Sequence, residues 1–175
     1  FAQKYQKKDA ATLCFFGDGA QQQGAIHESF NMAAIWDIPI VFVVENNGYG
    51  MGTAINRVSA FSELHEMAEA YGFDHEPFDG MDFFESYDAF KRALDHARSK
   101  SRPYFLEART SRFKGHSMSD PAKYRTREQL EEEKSKDPLP RMSSYLIEND
   151  LATEDELSDM DKSIKAEVKE IAKKA

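Results

Sequence analysis

Residues 15 to 50 read FFGDGAQQQGAIHESFNMAAIWDIPIVFVVENNGYG, and this stretch decides the fold. One apolar run closes on Gly17-Asp18-Gly19 and a second on Asn46-Asn47-Gly48, with apolar residues at helical spacing between them. Short continuous apolar runs bounded by turns read as strands buried on both faces, and the spaced apolar residues Ala25, Ile26, Phe30, Ala33 and Ala34 read as an amphipathic helix. Asp18 and Asn47 are 47 − 18 = 29 positions apart, about one strand-helix-strand unit. Their side chains are therefore expected at the same edge of a parallel sheet. Asp18 can supply an ionised carboxylate and Asn47 an amide carbonyl, the makings of a small site for a hard cation. With so few protein oxygens, magnesium completes its shell from water and from ligand phosphates.

Working outward, the alternation continues. Residues 12–16 form the first expected strand and 40–44 the second. A helix is expected over 62–71, with Ser62 as its N-cap and Gly72 as its terminator. A weak strand at 73–79, a helix at 85–99 and a strand at 104–108 follow. Strand and helix in strict alternation argue for an open, mostly parallel α/β sheet with helices on both faces. The stretch 111–125, SRFKGHSMSDPAKYR, has no apolar periodicity and reads as a long loop, expected to stay disordered until ligand and partner are present. Thr126 with Gln129 and Thr153 with Glu156 are capping boxes opening charged helices. The expected organisation is an α/β domain over residues 1–125 and a helical C-terminal extension over 126–175. The start at Phe1, without a methionine or a cleavable leader, reads as a fragment of a longer polypeptide.

Composition narrows the function classes. A net charge of −8 gives no electrostatic footprint for nucleic acid or an anionic membrane. No apolar stretch approaches the roughly 20 residues that span a bilayer. The single cysteine, Cys14, sits within TLCFF and reads as a buried, inert thiol in a reducing compartment. His27, His65, His75 and His96 lie in periodic segments, where satisfied or surface roles are the ordinary reading. His116 differs, because it lies in a cationic loop beyond the last strand.

Three features thus fall beyond the C-terminal ends of strands: GDG, ENNGYG and GHSMSD. That edge is where open α/β sheets bind ligands. Gly17 and Gly19 permit a sharp turn and close approach, and the helix that follows can offer free amides to a diphosphate. A dinucleotide fingerprint is excluded by Gln22, and a P-loop by the lack of its lysine. Alone, GDG and NNG are common turns. Together at this spacing they point to a ligand site.

The stretch GDGAQQQGAIHESFNMAAIWDIPIVFVVENNGYGMGT resembles the thiamine-diphosphate motif of the two-oxoacid dehydrogenases, most nearly the alpha subunits of the pyruvate dehydrogenase first component. RFKGHSMSDPAKYRTREQ looks like the phosphate-side loop of the same family. The resemblance implies the thiamine-diphosphate-binding fold, with Asp18, Asn47 and the backbone carbonyl of Tyr49 on magnesium. It also implies that Gly19 and Ala20 meet the diphosphate through backbone amides, and that His116 reaches the diphosphate side and assists the reaction. It implies oxidative decarboxylation of pyruvate with acetyl transfer to the lipoyl domain of a dihydrolipoyl acetyltransferase core. The implied partner is a beta subunit, in an assembly of two alpha and two beta chains, which brings the glutamate that activates the cofactor. The implied setting is the bacterial cytoplasm, or the mitochondrial matrix or plastid stroma of a eukaryote. Ser117 matches the position phosphorylated in mitochondrial relatives. Alternatives are an alpha subunit acting on branched-chain 2-oxoacids or acetoin, or a noncatalytic assembly module.

Overall fold

In the computed structural model, which describes residues 1–174, the chain divides into two compact units, Phe1–Lys136 and the segment from Asp137 onward. Ala175, the last residue of the expected helical extension, lies outside the described residues. In the first unit a short helix α1 (Ala2–Tyr5) precedes β1 (Thr12–Gly17), α2 (Gly24–Ile35) and β2 (Ile40–Asn46). A small antiparallel hairpin, β3 (Tyr49–Gly50) and β4 (Thr53–Ala54), follows. Then come a 3-10 helix (Leu64–Tyr71), β5 (Asp74–Asp79), α3 (Phe83–Lys100), β6 (Tyr104–Arg109) and α4 (Arg127–Ser135). The four longer strands form one parallel sheet in the order β1-β2-β6-β5, an α/β fold of the expected kind.

Alternation along β2 explains the two layers. Phe42 and Val44 point into one core with Phe30 and Ala33 of α2, Leu64, Met67 and Ala68 of the 3-10 helix, and Phe105. Val41 and Val43 point into the other with Leu106 and the alanine row Ala89, Ala93 and Ala97 of α3. Alanines four apart give α3 a flat face that lies close to the sheet. Its start is fixed by Asp82, whose side chain accepts from the backbone N–H of Phe84 (2.8 Å) and Glu85 (3.0 Å). Phe30 is the hub of the first core, with ring centroids 4.6 Å from Phe42 and 5.5 Å from each of Tyr71, Phe73 and Phe105.

Two sequence expectations change. β1 is an edge strand, not one covered on both faces: Leu13 is 40% and Phe15 52% exposed, and Cys14 is only partly buried. Residues 64–71 wind as a 3-10 helix with Glu63, not Ser62, at the cap position, and Gly72 ends it in the left-handed region (φ 68). On α2, Phe30 and Ala33 go inward, while Met32 is exposed, as is Trp36 just past the end of the helix.

The second unit holds α5 (Pro138–Glu148) and α6 (Glu154–Lys174). Asp137 accepts from the Leu139 N–H at 2.9 Å with Pro138 in the first turn, a start signal that makes α5 a helix despite its two prolines. The expected capping boxes are present at α4 and at the start of α6.

Candidate active site

Parallel register sets the site. Gly17 is level with Glu45, Glu45 with Ala108, and Asn46 with Arg109, so the residues that follow β1, β2 and β6 all emerge at one edge. They enclose a cavity of about 530 Å³ lined by Gly17, Asp18, Gly19, Ala20, Gln22, Asn47, Tyr49, Arg112, His116 and the hairpin β3–β4. Every residue singled out from sequence as a binding, metal or catalytic candidate, namely Asp18, Gly19, Ala20, Asn47, Tyr49 and His116, lines it.

Asp18 is 2% exposed. Its Oδ1 accepts from the Gly19 N–H at 2.7 Å, while its buried Oδ2 has no partner. A buried carboxylate oxygen without a donor is unfavourable by one to several kcal/mol in general, and a cation at this point would supply the missing charge. Asn47 Oδ1 accepts from the Tyr49 N–H at 3.2 Å, which fixes the amide and leaves a second lone pair on that oxygen. Gly48 turns the chain at φ 80. A carboxylate and an amide oxygen suit a hard cation that draws its other ligands from a phosphate.

The glycines are there for proximity. A Cβ on Gly19 would stand 3.0 Å from Gly50 Cα, and one on Gly50 would stand 3.2 Å from Gly19 Cα. The GDG turn and the β3–β4 hairpin therefore touch backbone to backbone. After Asp18 the chain makes a single 3-10 turn (Asp18–Ala20), and α2 begins only at Gly24, which is not among the lining residues. The amides available to an anion are thus those of the turn, not of the helix expected to follow it.

Sequence reasoning missed what holds these groups. Glu107, buried in mid-strand, accepts from Asn46 Nδ2 (2.7 Å) and from the His65 N–H (2.9 Å). It thereby ties the Asn-Asn turn to the 3-10 helix. The signal was an acid inside the apolar run YFLEA. Met51, Thr53 and Val58 close the far wall, and only the glycine spacing of YGMGT hinted at their hairpin.

The loop 111–125 is organised, contrary to the disorder expected of it. Asp120 is its centre: its carboxylate accepts from the His116 N–H (2.7 Å), the Ala122 N–H (2.8 Å) and the Tyr124 hydroxyl (2.7 Å). Those three donors, the His116 amide foremost, hold its carboxyl down to about 2. The Arg112 guanidinium donates to the Met51 carbonyl and the Tyr124 hydroxyl, each at 2.7 Å, and its Nη1 stands 3.3 Å from His116 Nδ1. Arg125 donates to the Arg112 and Lys114 carbonyls and to Glu133 of α4. A loop poor in apolar residues can be ordered by charge-assisted hydrogen bonds alone. Ser117 is exposed, its hydroxyl 3.1 Å from that of Ser119.

The other histidines are satisfied elsewhere, as expected. His27 Nδ1 meets the Tyr71 hydroxyl at 2.8 Å, His65 and His75 meet through Nδ1 atoms 2.8 Å apart, and His96 pairs with Asp74.

A family model described as dehydrogenase E1 component matches residues 1–175. The pyruvate dehydrogenase E1 component subunit alpha of Rickettsia bellii is 43% identical to this chain over 170 residues, covering 97% of the chain and 52% of that protein. The protein of the same name from Rhizobium meliloti is 42% identical over 166 residues (94% and 48%), and that from Porphyra purpurea 39% over 159 residues (91% and 46%). The chain spans about half the length of the curated relatives it matches.

Proposed function

The chain belongs to the dehydrogenase E1 component family, and from that premise we propose that it is the diphosphate-binding part of a pyruvate dehydrogenase alpha subunit. Its relatives of that name carry the pyruvate reading. The cofactor is thiamine diphosphate with magnesium. The single observation that carries this assignment is the buried Asp18 carboxylate, one oxygen of which lacks a donor, on the wall of the cavity at the sheet edge.

In this reading Asp18 and Asn47 hold magnesium by side-chain oxygens and Tyr49 by its backbone carbonyl. Gly19 and Ala20 would present backbone N–H groups to the diphosphate, Gly19 by sharing the N–H that here meets Asp18 Oδ1, and Arg112 adds positive charge at the same wall. When bound, the cofactor supplies the electron sink for loss of carbon dioxide from a 2-oxoacid. The protein's part is position and proton handling. Arg112 and Asp120 fix the position of His116 through its side chain and its backbone, so its imidazole can exchange a proton with a reacting group that enters from the open side. The cofactor-activating glutamate comes from a beta subunit, and the acetyl group leaves on a lipoyl domain of the acetyltransferase core. Two alpha and two beta chains make the assembly, and the compartment is the cytoplasm in a bacterial host.

Calorimetric titration of the assembled alpha and beta chains with thiamine diphosphate, with and without magnesium, tests the reading. Binding that requires magnesium and 2-oxoacid turnover that prefers pyruvate are the expected outcomes. Metal-independent binding would overturn the cation assignment, and preference for a branched-chain acid or acetoin would move the chain to a sister activity.

A further inference from the structure

Helix α6 (Glu154–Lys174) has no buried residue among its 21 positions. It nevertheless carries a continuous apolar stripe. Leu157, Met160, Ile164, Val168 and Ile171 are spaced three, four, four and three apart, so they share one face within about 40° of Ile164 at 100° per residue. Met160, Ile164, Val168 and Ile171 are each more than half exposed. Most helical stability in proteins comes from packing an apolar face.

The charges say what covers it. Residues 154–161 contain Glu154, Asp155, Glu156, Asp159 and Asp161 and no cation, whereas Lys165, Lys169, Lys173 and Lys174 crowd the other end. A parallel copy would set acid against acid. A copy turned antiparallel about Ile164 sets Met160 opposite Val168, Asp161 opposite Lys165 and Glu156 opposite Lys174, each pair occurring twice. In an antiparallel pair residues on the same flank meet. Asp161 and Lys165 lie on one side of the stripe, while Glu156 and Lys174 lie on the other. An anionic lipid surface fits less well, because Asp161 and Glu167 border the stripe at its middle. We propose that α6 is a self-pairing surface, joining two copies of this chain through an antiparallel helix pair.

The experiment uses the 175-residue chain, followed by sedimentation equilibrium from about 5 to 500 μM, the range of modest helix-pair affinities. A reversible monomer–dimer equilibrium is expected, abolished by Ile164→Asp. Glu156→Lys with Asp161→Lys in one variant, and Lys165→Glu with Lys174→Glu in another, should each weaken self-association by about tenfold. Mixing the two should restore it as a heterodimer. This rescue shows that loss in either variant alone is not misfolding. For orientation, Met160→Cys and Val168→Cys are made in a Cys14→Ser background. Mixed under oxidation, the two should cross-link to each other, and neither should cross-link to itself. A monomer at every concentration, association that survives Ile164→Asp, self-cross-linking of the single variants, or a stripe protected only when the beta subunit is added would each overturn the proposal.

Discussion

At the scale of single residues, the site rests on oxygens whose partners lie within one or two positions in the chain. Asp18 and Asn47 each have one oxygen fixed by a neighbouring N–H. Asp18→Ala should therefore abolish magnesium-dependent cofactor binding, since it leaves a doubly charged ion with neutral protein ligands only. Asn47→Ala should weaken binding less, because water can replace a neutral oxygen. Calorimetry checks both, and unchanged affinity in Asp18→Ala would remove the metal assignment. His116→Ala separates binding from chemistry. Turnover should fall by about two to four orders of magnitude, the usual worth of a positioned acid–base group, with cofactor affinity within a few-fold. If affinity falls and saturating cofactor restores turnover, His116 is a phosphate contact. These residues were legible in the sequence because small turn residues advertise a strand end. Glu107 was not, since its partners Asn46 and His65 lie 61 and 42 positions away, and Asp120 and Tyr124 were not, since their bonds organise a loop without periodicity.

At the scale of elements, the loop and the 3-10 helix are fastened by titratable groups, and pH should read them out. The Asp120 carboxyl is lowered to about 2. A lowered carboxyl contributes order fully above its ordinary 3.8 and loses it as pH falls through about 2. Relative to the intrinsic rate at each pH, hydrogen exchange in residues 111–125 should thus be slow at neutral pH and fast in that acid window. Asp120→Asn should show the fast behaviour already at neutral pH, and equal protection in both proteins would refute the loop's dependence on this carboxylate. The 3-10 helix answers earlier. Burial, and the nearby His75, push the His65 imidazole below its ordinary 6.5 against the pull of Glu107, Glu63 and Glu66. A lowered histidine contributes stability fully above 6.5 and loses it as pH falls through its folded value. The melting temperature should therefore drop on acidification below 6.5, and His65→Gln should flatten that slope. Periodicity could place this helix but not its winding. The Glu107 carboxylate takes the His65 amide, a tertiary bond that overrides local propensity.

At the scale of the whole molecule, the alternation of strand and helix was readable because each strand is a short apolar run closed by a turn. Layer order was not, because the strands rank β1-β2-β6-β5 in space and only pairing reveals which one lies outside. The two rims of the sheet differ sharply. β5 carries Asp74, His75, Glu76 and Asp79, with Pro77 interrupting its N–H row, the charged and proline-marked edge that resists pairing. β1 reads TLCFFG, with no charge and no proline, and its outward side chains include the exposed Leu13 and Phe15. Such an edge is a template for any strand that meets it, another copy included. On prolonged heating just below its melting temperature, where sheet edges open, the chain made by itself should form sheet-rich aggregates, seen as rising light scatter and thioflavin fluorescence, and Phe15→Lys should suppress both while leaving the melting temperature nearly unchanged. If scatter persists in Phe15→Lys, aggregation starts elsewhere. The rim that positions Asp18 is thus also where this polypeptide is most exposed to fibril growth, and whatever lies against β1 in the cell acts on it as a chaperone would.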